Sequence, residues 1–95
     1  MIRIDSIKQL DAKNFEVGFF SNGRAQTNRF EYCAETIGPD GAQLHLINSD
    51  DAKFHNFIAS NRKFKNQLFV LVRQIGEHEP LDLPVEVEEG WSSKQ

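Results

Sequence analysis

Among the residue types that carry acid–base, nucleophilic or metal chemistry, the chain offers three histidines (His45, His55, His78), one cysteine (Cys33) and the neighbouring carboxylates Asp50 and Asp51. Metal centres draw their ligands from short fixed spacings. No H-x-x-x-H, C-x-x-C or H-E-x-x-H run occurs, so the three histidines and the cysteine stand singly along the chain. Cys33 therefore reads as a small packing residue, and the histidines as surface groups. Neither a G-x-S-x-G turn nor a glycine-rich phosphate loop is present. Asp50 and Asp51 suit the positive end of a helix dipole better than paired acid–base work. The expectation is a protein that is not an enzyme, with no catalytic residue, no cofactor and no metal ligand to assign.

A second kind of chemistry is suggested by "KFHNFIASNRKFK", residues 53 to 65, where cations and phenylalanines interleave. Cations could meet phosphates and exposed rings could stack on bases. Two observations count against that. At about 100° per residue, Phe54, Phe57, Ile58, Phe64, Leu68, Phe69, Leu71, Val72 and Ile75 share one helical arc, so the phenylalanines are placed in a core. On the same wheel Arg62, His55 and Arg73 line one flank while Lys63 lies on the far side, which disperses the charge. Residues 50 to 76 carry a net +3 and residues 77 to 95 a net −5, within a chain of net charge −3. The acidic block could fold back on the basic one and weaken any affinity for phosphate.

The third feature is an apolar surplus in "LFVLV", residues 68 to 72. Val70 falls opposite the main arc, and Phe69 and Arg73 sit near its edge. Surplus of this sort marks a partner or dimer interface, unless the segment is buried on both sides. Trp91, between Gly90 and two serines, is either docked on the sheet or a short recognition element. The candidate partner-contact residues are Arg62, Lys63, Phe69, Val70, Arg73 and Trp91.

The elements that must position these residues can be read from period and turn chemistry. "IRIDSIK" and "NFEVGFF" alternate apolar and polar residues as half-buried strands do, except that Ile7 falls out of phase and points to a bulge. Asn22-Gly23 suits a type I′ hairpin turn, in which both central residues need positive φ. "RAQTNRFEYCAE" returns from it with Phe30 and Tyr32 on one side and Glu31 and Cys33 on the other. Gly38-Pro39-Asp40-Gly41 forms a second turn. In "AQLHLIN", Leu44 and Leu46 then alternate against Gln43, His45 and Ile47.

A helix follows, capped by Asn48, Ser49 or Asp50. Unbroken from 50 to 76, it would aim Asn61 and Lys65 into the apolar arc, so a break near "SNRK" is expected, with Asn61 capping a second helix. "LFVLVRQI" also fits a buried strand, because periodicity alone does not assign a short apolar run. Leu83, Val85 and Val87 alternate with Pro84, Glu86 and Glu88 as a short edge strand would.

The fold expected is α+β: a four-stranded antiparallel β-meander packed against one kinked or two consecutive C-terminal helices, with a short fifth edge strand possible. Residues 1–88 form a single domain and 89–95 a flexible acidic and polar tail. The lone cysteine and an N-terminus without the basic start and apolar run of a signal peptide point to the cytoplasm. No run approaches the roughly 20 apolar residues of a membrane span. The function expected is a small protein-interaction or regulatory module whose partner is another protein or a second copy. Ranked behind it are a nucleic-acid binder using residues 53–73, and a small enzyme or ligand carrier with a pocket lined by Tyr32, Cys33 or His45.

Overall fold

The computed structural model describes residues 1–90 of the chain. Four strands run in meander order: β1 (Ile2–Gln9), β2 (Asn14–Ser21), β3 (Arg24–Ile37) and β4 (Ala42–Asn48). Two helices follow, α1 (Ala52–Ser60) and α2 (Arg62–Gly76), and then a three-residue strand, β5 (Val85–Val87). The sheet is antiparallel throughout, in the order β4-β3-β2-β1-β5. This is the expected α+β architecture, with the fifth edge strand present and the segment 68–75 helical.

Local chemistry accounts for the turns. Asn22 and Gly23 have φ of 54° and 75°, as a type I′ turn demands, and Ser21 and Arg24 pair on either side of them. At the β1–β2 connection one Asp11 oxygen accepts hydrogen bonds from the backbone N–H groups of Lys13 and Asn14, both at 2.9 Å. The Lys13 N–H, then the Asn14 side-chain amide and then the Asn14 backbone N–H hold the Asp11 carboxyl below its ordinary value.

The phase slip at Ile7 is a β-bulge. Ile4 pairs with Phe19 but Ser6 pairs with Gly18, and the shift returns Ile7 to the core face opposite Val17. Gly18 leaves room for the Ser6 side chain opposite the bulge: a Cβ at Gly18 would stand 2.6 Å from the Ser6 hydroxyl, which would have to turn away. One extra residue thus allows Ile2, Ile4 and Ile7 to be buried together.

The helices cover one face of the sheet. Phe19 lies at the centre, its ring 5.1 to 5.7 Å from those of Phe54, Phe57 and Phe64. Phe15 stacks on Phe30 at 5.6 Å, and Leu68, Leu71 and Val72 complete the layer. Burying a side chain of this size contributes roughly 1.5–3 kcal/mol, so this face is what holds the helices to the sheet.

Three local expectations change. The cap of α1 is Asp51, one residue beyond the candidates, with its carboxylate accepting from Lys53 N at 2.9 Å and Phe54 N at 3.2 Å. Ser49 is drawn off to the sheet, where its hydroxyl donates to Arg29 O. The break between helices falls at Asn61 as expected, but the Asn61 side chain makes no capping bond to α2. It lies buried and bonds elsewhere, because the α1–α2 corner brings two other backbone groups within its reach. The Leu44–Leu46 pair faces away from the helices, since pairing of Tyr32 with Ile47 places Ile47 in the core and the leucines on the open face.

Candidate functional site

The six candidate contact residues separate into two groups at opposite ends of α2, with Trp91 outside the described residues. At the N-terminal end the polar groups are engaged within the chain. Asn61 Nδ2 donates to Phe57 O at 2.8 Å, and Asn61 Oδ1 accepts from Gly90 N at 2.8 Å. Arg62 N donates to Gly90 O at 3.0 Å. Lys63 donates to Glu88, and this bond together with the nearby positive charge lowers the Glu88 pKa. Glu89 faces the N-terminal ammonium at 3.4 Å. The residues just after β5 are therefore laid across the helix–helix corner, and Lys63 is used there.

At the other end, Phe69, Val70 and Arg73 border a cleft of about 740 Å³. Its floor is Phe15, Tyr32 and His45; Gln9 and Ala12 wall one side, and Val72, Ile75 and Gly76 continue the α2 side. The cleft exists because β3 and β4 outrun their neighbours. β2 begins at Asn14, opposite Glu31, whereas the β3–β4 ladder continues to Ile37 and Ala42. Past the β1–β2 turn the two strands project as a hairpin arm, and α2 covers only its root.

Polar chemistry in the cleft is sparse. Tyr32 and His45 share a hydrogen bond, Oη to Nδ1, of 2.6 Å, and their rings stack at 5.9 Å. Phe69 meets both edge-on, at 6.1 and 6.3 Å. Arg73 pairs with Glu77 one turn along the helix at 3.3 Å. A tyrosine and a histidine fixed by one hydrogen bond, with apolar walls and a cation at the rim, suit an apolar group carrying a polar or anionic end.

Cys33 does not reach this cleft. It pairs with Leu46 on the open face, opposite to Tyr32. The pocket expected from Tyr32, Cys33 or His45 thus contains the first and third of these residues only. Sequence reasoning gave no reason to join Phe15, Gln9 or Ala12 to that set; the signal was the length mismatch between "NFEVGFF" and the longer strand that follows it.

A second depression, of about 710 Å³, is polar and is bordered by Asp11, Glu16, Arg29, Glu31 and Asp51 among others. Several of its carboxylates already have duties. Asp11 closes a turn, Asp51 caps α1, and Glu16 faces Lys8 and Arg29 at 3.7 and 3.8 Å. Among the described residues, no group of three or more His, Cys, Asp or Glu is arranged to hold a metal ion, and no helix is long and apolar enough to cross a membrane. Comparison with known protein families, with curated proteins and with solved structures returns no match.

Proposed function

We propose that this protein is a small non-catalytic binding module of the cytoplasm that acts through contact with another protein, and that the α2 cleft receives an apolar side chain of that partner. The observation that supports this reading is the cleft itself: Phe69, Val70 and Phe15 converge on an opening flanked by the Arg73–Glu77 pair, while at the other end of α2 Lys63 is engaged by Glu88 of the same chain. An apolar anchor entering a preformed pocket, with a charge at its rim, is the usual energetic centre of a protein interface. The free thiol of Cys33 supports a reducing compartment.

The test is differential capture from a cell extract by the wild-type chain, Val70→Glu and Lys63→Gln. A protein retained by the wild type and Lys63→Gln but lost with Val70→Glu is the expected result; identical capture by all three would overturn the assignment. A second reading, a carrier of a small amphipathic molecule, is favoured by one observation: the Tyr32–His45 pair offers a fixed polar handle inside a cavity of small-molecule size. Native mass spectrometry that finds a small molecule co-purifying with the wild type, and not with Val70→Glu, would select it.

A further inference from the structure

The two edges of the sheet are treated very differently. β5 is three residues long, follows Pro84, and carries Glu86 within it and Glu88 and Glu89 after it. These are the devices by which natural sheets discourage edge pairing. β4 is seven residues long, pairs with β3 in unbroken register, and contains no charge and no proline. Among the described residues, no backbone hydrogen bond from outside the β3–β4 ladder reaches Ala42 through Asn48. Leu44 and Ile37 are 41% and 46% exposed on the open face, where Leu44 stands opposite Glu35, Ile37 opposite Ala42 and Leu46 opposite Cys33.

We propose that β4 is a self-association edge, at which two copies of the chain pair antiparallel through Ala42–Asn48 with His45 opposite His45. An outward row of backbone N–H and C=O groups is complemented by another extended strand. The sequence of this strand suits its own copy. With the two-fold axis at His45, Leu44 of each copy lies directly opposite Leu46 of the other, twice on the same face. No Asp, Glu, Lys or Arg is brought opposite a like group, because the strand has none, and the titratable pair on the axis is His45 with its copy. The two open faces then become continuous, covering Leu44, which is exposed in the single chain, and the half-buried Leu46. A pairing through one short strand from each copy is a small interface, so association is expected to be weak and dependent on concentration. The pairing does not depend on the cleft, and Val70→Glu leaves it intact.

Sedimentation velocity over a range of concentrations tests the proposal. The wild type is expected to pass from monomer to dimer. Leu44→Lys, an exposed substitution that sets a charge in the apolar patch, is expected to raise the dissociation constant about tenfold or more, with an unchanged thermal melt. A wild type that stays monomeric, or a dimer that survives Leu44→Lys, overturns it. The register has its own test in a Cys33→Ser background. Directly opposite Cβ atoms lie about 5 Å apart, so His45→Cys is expected to form a disulfide dimer under mild oxidation and Gln43→Cys, which faces Ile47 of the other copy, is not. Equal crosslinking of the two variants would exclude the two-fold axis at His45.

Discussion

The two ends of α2 differ in how far the chain itself satisfies their groups. At the N-terminal end, polar and charged groups find partners inside the chain: Asn61 bonds to Phe57 and Gly90, and Lys63 to Glu88. At the C-terminal end, Phe69 and Val70 face a cleft that the chain leaves open. The difference teaches where contact with another molecule is inexpensive. A partner approaching Lys63 meets an ion pair already made, whereas one entering the cleft meets mainly apolar walls, with the Tyr32–His45 hydrogen bond on the floor and the Arg73–Glu77 pair at the rim.

The largest expected effect comes from the joint between the two ends. Phe64 is fully buried against Phe19, Phe54 and Phe57, and Phe64→Ala is expected to destabilise the fold by about 3–5 kcal/mol in urea titration. Both ends of α2 would loosen together, and unchanged stability would show that they do not share a core. Asn61→Ala follows, at about 1–3 kcal/mol for two hydrogen bonds, because Phe57 O and Gly90 N each lose a partner at a part-buried corner. Hydrogen exchange at Gly90 N is expected to accelerate while that of the Phe69–Val72 amides does not; equal acceleration would merge the two ends.

Acid is expected to act next. The Glu88 pKa is lowered in the folded chain, chiefly by its hydrogen bond to Lys63, and that of Asp11 chiefly by the Lys13 backbone N–H. A lowered carboxyl contributes stability that is present above its unfolded pKa, near 4.3 for Glu and 3.9 for Asp, and that is lost as pH falls through the folded value. The midpoint of unfolding is therefore expected to fall below about pH 4, and less steeply in Glu88→Gln than in the wild type. Parallel profiles would mean that Glu88 takes no part. The smallest effect belongs to Lys63→Gln, since both partners of that pair are exposed: a slight drop in stability at low salt that disappears at high salt. A drop that persists in high salt would show a packing role for the Lys63 stem instead.

Legibility from the chain alone followed the range of the interaction. The Asn22-Gly23 turn, the bulge implied by Ile7 and the interruption at Asn61 were readable because each is a conflict or preference within a few residues. The cap of α1 was missed by one position because Ser49, a good cap in isolation, is held by Arg29 O from a strand twenty residues earlier. The contact of Lys63 with Glu88 and of Arg62 N with Gly90 O was not readable from a helical wheel, because both partners come from residues more than twenty positions later.

What local sequence determined, then, is the set of elements and their breaks: period decides strand against helix, and φ preferences decide the turns. Which face of β4 is buried, how far β3 and β4 run beyond the β1–β2 turn, and where the acidic C-terminal residues return were decided by tertiary structure. Leu44 and Leu46 look like core residues by hydropathy, yet the register against Tyr32 and Cys33 turns them outward. Strand register is a property of two segments at once, and a shift of one residue exchanges the two faces. No single stretch of sequence contains that information.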